Sequence, residues 1–308
     1  MKPIEKSLLL PASGFCQPNL PNMNIIVTGS LGNVSGPLTE TLVRNGHRVT
    51  VISSDPAKVA QINRLGAAAA IGSLTDAAFL RQTFTGAEAL YAMIPFSFTA
   101  QDQSAYLREI ATNYVQAIQH TGIKRAVLLS GWAADLVPSS SVEDVFAPLT
   151  NVAVTFLRPA YFYSNFYMSL PAIRQTGQLT ATYGGDDRLV FVSPQDIAAV
   201  AAEELVSAAP SSIRYVGSDE MTCNEAARLL GAAIGVPALH WTVISPEQML
   251  AQYKGMGMPA TFAQSLVDME ATMHDGTALA NFHRANPPLG TVKLAEFAQE
   301  FAVAYQAH

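Results

Sequence analysis

Through the first half of the chain, short apolar runs alternate with stretches whose apolar residues recur every three or four positions. Asn24-Ile25-Ile26-Val27-Thr28 reads as a buried strand, and Gly32 to Arg44 as a helix stopped by Asn45-Gly46. The alternation continues with a strand from His47 to Ser53, a helix from Pro56 to Leu65, and a weaker strand from Ala67 to Ile71. A helix from Asp76 to Phe84 and a strand from Ala87 to Ile94 follow. Next come a long helix from Gln103 to Thr121, stopped by Gly122, and strands from Arg125 to Ser130 and Val152 to Leu157. Strands spaced by helices imply βαβ units, so the expected fold class is α/β with a doubly wound parallel sheet covered on both faces.

The regularity fails after Arg158, where the chain turns aromatic-rich and then helical. Short strands are expected at Ile213 to Val216 and His240 to Ile244. The pattern therefore divides the chain into an extension at 1–22, a main domain at 23–158 and a smaller, mostly helical domain at 159–308. Elements around 189–217 are expected to return to the main sheet.

Composition narrows the class. A chain of 308 residues with 49% hydrophobic and 14% charged residues buries a sizeable core and excludes disorder. The net charge of -6 is scattered, and without a Lys/Arg cluster direct nucleic-acid binding is not expected. No apolar run approaches the ~20 residues of a membrane span. Leu8-Leu9-Leu10 is short, Pro11 breaks it, and Met23 is an alternative start. Cys16 and Cys223 lie far apart and give no disulfide framework, which points to a reducing, cytoplasmic setting, and neither they nor the six histidines show metal-ligand spacing. A homodimer is one option for assembly.

The strongest chemical signal is Thr28-Gly29-Ser30-Leu31-Gly32-Asn33-Val34, leaving the first strand and opening the first helix. Gly29 permits a tight turn, Gly32 lets the backbone approach a pyrophosphate, and the helix start offers unpaired N–H groups. A plain strand-to-helix turn would use the same glycines. At the first turn of a doubly wound sheet, a dinucleotide site is the better reading.

Together with Leu128-Leu129-Ser130, Leu157-Arg158-Pro159-x-x-Phe162-x-x-Asn165-Phe166 and Val192-x-x-x-Asp196-Ile197-Ala198, this loop resembles the NmrA-like group of atypical short-chain dehydrogenase/reductases. The resemblance runs from Met23 nearly to the end and implies a Rossmann-type fold. It implies cofactor contacts at Thr28, Gly29, Leu31, Gly32, Asn33 and Val34. It also implies Ser53, Ser54 and Lys58 near the adenosine ribose, Ser73 near the adenine, and Pro95 and Phe96 along the nicotinamide pocket. The chain departs from the family at Ser35, where a third glycine is usual, and at Ser73, where an aspartate is usual. Two hydroxyls at the end of the second strand repel neither cofactor, and no NAD-type carboxylate is evident, which favours NADP with NAD as the alternative. Asp55 reads as a helix cap before Pro56.

Ordinary short-chain dehydrogenases use a Tyr-x-x-x-Lys pair, and none of the ten tyrosines has a lysine four residues on. Ser139 to Thr150, where the pair is expected, holds neither residue type. Ser130 occupies the family's serine position. Hydride transfer to a quinone or similar conjugated acceptor needs position more than a strong acid. Such an aromatic small molecule suits the cluster Tyr161-Phe162-Tyr163-Ser164-Asn165-Phe166-Tyr167. Tyr161 and Asn165 are the expected site residues there, with Phe162 and Phe166 read as core. The resulting function is an NAD(P)H-dependent reductase; the alternative is a non-catalytic, redox-sensing regulator that acts through a protein partner.

Overall fold

The computed structural model describes residues 22–97, 100–136 and 141–307. The extension up to residue 21, Cys16, and Ser139 and Ser140 lie outside the described residues. In chain order the first elements are β1 (Asn24–Val27), α1 (Ser35–Arg44), β2 (Arg48–Ser53), α2 (Val59–Arg64), β3 (Ala68–Ile71), α3 (Ala77–Phe84) and β4 (Ala89–Ala92). Then come α4 (Gln103–Thr121), β5 (Arg125–Leu129), β6 (Ala153–Pro159), β7 (Tyr161–Phe162), α5 (Leu170–Thr176), β8 (Gln178–Ala181) and β9 (Arg188–Val192). The rest are α6 (Pro194–Val206), β10 (Ser212–Val216), β11 (Asp219–Thr222), α7 (Cys223–Ile234), β12 (His240–Val243), α8 (Pro246–Gly255), α9 (Ala260–His274), α10 (Thr277–Ala285) and α11 (Leu294–Gln306).

Seven parallel strands form the main sheet in the order β10-β6-β5-β4-β1-β2-β3. The order reverses between β1 and β4, which opens a crevice at their carboxyl ends, the place where doubly wound sheets hold ligands. Successive strand residues point to opposite faces: Ile25 and Val27 join one core, and Ile26 joins the other. Leu80 and Phe84 of α3 and the apolar stripe of α4 fill the second core. Leu38 and Leu42 of α1 and the small residues of α6 fill the first. Both faces are covered, so the strands read as continuous apolar runs rather than alternating ones.

The elements around 189–217 split. β10 returns to the main sheet beside β6, and α6 packs on α1. β9 does not return; it pairs antiparallel with β11 and parallel with β7 in a small separate sheet. A buried ion pair helps bring β10 home: Glu204 of α6 meets Arg125 at 2.6 Å and Arg214 of β10 at 2.7 Å. The helix expected from Pro56 begins as a tight 3-10 turn, Pro56–Lys58, with the Asp55 carboxylate accepting the Ala57 N–H. Of the methionines in α8 and α9, Met249 and Met273 are buried, as is Met258 between the two helices. They fill core.

Candidate functional site

The glycine loop is built around its helix start. Gly29 takes a φ of +87°, a region open to glycine, and a Cβ there would stand 2.7 Å from Ser35 Oγ. Ser35, in the usual third-glycine place, turns its hydroxyl onto the Thr28 carbonyl at 2.8 Å. The serine is therefore absorbed by an internal hydrogen bond, and Gly29 supplies the room. Thr28 is buried: its hydroxyl donates to the Met93 carbonyl at 3.0 Å and accepts the Met93 N–H at 2.7 Å. It clamps β1 to the end of β4, across the crevice. Val34 is buried in the core, whereas Gly32 and Asn33 are exposed and Leu31 is half-buried.

The loop fits a pyrophosphate on two counts. Among the described residues, the N–H groups of Leu31, Asn33 and Val34 bond no backbone carbonyl, and no side chain caps α1. No acidic residue occupies its first turn to compete with an anion. A Cβ on Gly32 would come within 3.2 Å of the Gly29 carbonyl, so the cradle depends on its missing side chain.

At the end of β2, Ser53 is buried and its hydroxyl is spent inside the fold. It accepts from Ser30 Oγ at 3.0 Å and from the Asp55 N–H at 3.1 Å, fixing Ser30 at a φ of +55°. Ser53, an expected ribose contact, also braces the glycine loop. Ser54 is exposed and Lys58 half-buried beyond it. Ser73 is exposed and pairs with Thr75 at 2.8 Å. Pro95 and Phe96 follow β4, and the Phe96 ring, 55% exposed, meets Phe262 of α9 at 5.1 Å between centroids. That contact joins the segment after β4 to the apolar group of Met258, Phe262 and Ala263.

Ser130 leaves β5 at the same edge, but its hydroxyl donates to Glu143 at 2.6 Å. Glu143 sits on a 3-10 turn, Glu143–Phe146, in the stretch where a Tyr/Lys pair is expected. Arg158 of β6 grips it with a two-pronged fork at 3.0 and 2.8 Å, and also bonds Tyr215 and Asp135. This fork, with the Tyr215 hydroxyl adding to it, holds the guanidinium well above its ordinary range despite burial.

Tyr161 follows β6, its ring packed on Phe166, Tyr183 and Phe191. Burial pushes its hydroxyl well above the ordinary phenol range, offset in part by the Tyr183 hydroxyl. It stays a neutral hydrogen-bonding group. Phe166 is fully buried, as read from the sequence, and Phe162 is half-buried; Asn165 is exposed at the rim. Asp196 does not reach back to its own helix start. Its carboxylate takes the Ser218 hydroxyl at 2.5 Å and the N–H groups of Thr291 and Val292, tying down a distant loop. His274 is exposed and paired with Asp187 at 2.8 Å.

Sequence reasoning missed Glu143, Arg158 and a second polar group: Glu270, Tyr253 and Tyr183. The signal for Glu270 was present. It interrupts the buried stripe Phe262, Ala263, Val267, Met273 of α9 at helical spacing. Among the described residues no helix is long and apolar enough to cross a membrane, and no metal-ligating cluster occurs.

The chain is similar to several known proteins. The chain is 25% identical over 257 residues to an NAD(P)H azoreductase of Xenophilus azovorans, covering 80% of this chain and 86% of that one. Its fold is similar to an NADPH-dependent quinone oxidoreductase of Escherichia coli, with a TM-score of 0.72 at 21% identity, covering 90% and 99% of the two chains. It is similar also to the triphenylmethane reductase of Citrobacter sp., with a TM-score of 0.73 at 20% identity and the same coverage. Residues 29–208 match the model described as NAD(P)H-binding, so the chain belongs to the NAD(P)H-binding family.

Proposed function

We propose that the protein is an NADPH-dependent reductase that passes a hydride to a flat conjugated acceptor, such as a quinone or a dye. The observation that carries this reading is the pairing of an open pyrophosphate cradle with an aromatic crevice at the same sheet edge. The bound cofactor supplies the hydride. The chain's own residues supply position and exclusion of water. Gly29, Gly32 and the start of α1 receive the pyrophosphate, while Phe96 and Phe262 close over the ring that reacts.

Tyr161, held neutral by burial, donates a hydrogen bond to the oxygen on which negative charge develops, and Asn165 orients the acceptor from the rim. A hydroquinone anion then takes its proton from water. NADP is favoured over NAD because Asp55, at the end of β2 where the ribose is expected, is engaged as a cap, and Ser54 and Lys58 leave room for a 2′-phosphate. The azoreductase relative and the quinone and dye reductases of similar fold support this chemistry.

The test is anaerobic turnover with menadione, an azo dye or a triarylmethane dye, each with NADPH and with NADH. Expected is one NADPH consumed per menadione or triarylmethane dye and two per azo bond cleaved to amines, with NADPH preferred. Binding of NADPH without turnover of any acceptor overturns the reading and leaves the redox-sensing regulator.

A further inference from the structure

Glu270 is the unusual charge of this molecule. It is 5% exposed, and Oε2 accepts both the N–H and the hydroxyl of Thr182, each at 2.9 Å. The Tyr253 hydroxyl donates to Oε1. Its partners are one backbone N–H and two hydroxyls. Glu143 and Glu204 are each neutralised by arginine. Among the described residues, no ion pair reaches Glu270. Its hydrogen bonds are satisfied, but its charge is not balanced.

Three tyrosines, Tyr161, Tyr183 and Tyr253, lie within reach of this charge. Tyr161 lies 6.4 Å from Tyr183, and Tyr183 lies 5.4 Å from Trp241, between ring centroids. The faces of such rings are negative. Tyr253 packs with Met258, Phe262 and Ala263, the group whose Phe262 meets Phe96. Tyr161 enters from the opposite side, at the carboxyl end of β6. The negative potential of Glu270 reaches both tyrosines, raising each hydroxyl beyond what burial does. The carboxylate thus stands behind the wall of the proposed acceptor site.

Resting on the reductase reading, we propose that Glu270 is a specificity-determining residue that selects the acceptor by charge. Conjugated acceptors with a delocalised positive charge are favoured, neutral ones are accepted, and acceptors bearing sulfonate or carboxylate groups are turned away. A cation against this wall balances a charge the fold leaves open. An anion there adds a like charge in a poorly hydrated site.

The experiment compares kcat/KM at saturating NADPH for a cationic triarylmethane dye, neutral menadione and a naphthoquinone sulfonate, in the wild-type protein and Glu270→Gln. The glutamine keeps the side-chain volume and an acceptor for Thr182. Each dye is normalised to menadione. Expected is a wild-type preference for the cation over the sulfonate that falls roughly tenfold in the variant. A wild-type preference for the sulfonate overturns the proposal, as does a selectivity ratio that moves less than about twofold in a folded variant.

If Glu270→Gln does not fold, the salt dependence of the wild-type protein decides. Selectivity from a buried charge persists at high ionic strength, whereas selectivity from surface charge collapses. If no acceptor turns over, the reductase reading falls by itself. Calorimetric binding of the same three compounds to the NADP+-loaded protein then reads charge selection alone, and equal binding, or none, overturns it.

Discussion

Gly29 shows how one residue carries the cofactor site. Its φ of +87° and the 2.7 Å approach of a Cβ to Ser35 Oγ penalise any side chain twice. Gly29→Ala is expected to cost about 1–3 kcal/mol of local strain and to weaken NADPH binding by roughly tenfold or more, read by calorimetry. Adding Ser35→Gly removes the close contact but not the dihedral strain, so the melting temperature recovers only in part. Cys223 makes the opposite point, that a conspicuous side chain can be inert. It is fully buried at the start of α7, and burial, with Asp187 nearby, pushes its thiol up to about 12. In a Cys16→Ser background, a thiol reagent at pH 8 should modify Cys223 only at the rate of unfolding. Prompt labelling of the native protein would show that the α7 start opens.

At the scale of elements, the main sheet was legible because parallel strands buried on both faces leave uninterrupted apolar runs between helix stops. α4 and its Gly122 stop fall where the sequence placed them, with Gly122 at a φ of +73°. Of the small sheets, only β12 (His240–Val243) was legible, at the strand expected from His240 to Ile244. β7 has two residues, and β11 (Asp219–Thr222) is polar and half-buried, so neither carries a period. The glycine cradle could be read from residue order, since its chemistry is local backbone. The Glu143–Arg158–Ser130 network could not, because its members meet only when β5, β6 and the 3-10 turn converge. Removing parts of it separates their roles. Ser130→Ala loses one hydrogen bond, about 1 kcal/mol, and is expected to leave kcat with menadione within about threefold. Glu143→Ala strands a buried guanidinium at a cost of about 3–5 kcal/mol, lessened by Asp135 at 3.2 Å. Urea midpoints measure both. A Ser130→Ala variant with kcat lost and stability intact would move Ser130 from scaffold to chemistry.

At the scale of the whole molecule, the question is whether the two parts of the chain are energetically separate. The sheet core holding Ile25, Val27 and Tyr91 runs without a break into Phe166, Phe191, Trp241 and Phe301. Glu204 ties the parts together from the other edge, joining α6 to β5 through Arg125, to β6 through Thr155 at 2.9 Å, and to β10 through Arg214. Arg125 is also buried, so Glu204→Ala leaves its charge unpaired, and a loss of about 3–5 kcal/mol is expected. If the parts form one cooperative unit, the loss lowers a single transition. Far-UV circular dichroism and the fluorescence of Trp132 and Trp241, which lie in the two parts, then shift together by the same amount. If the sheet edge is separable, the circular dichroism transition broadens and precedes the fluorescence change, because β10 and α6 detach while the aromatic core around Trp241 persists. Coincident curves would mean that the crevice between β1 and β4 and the aromatic wall beyond β6 are held by one core. The acceptor would then meet its cofactor at a junction of fixed geometry.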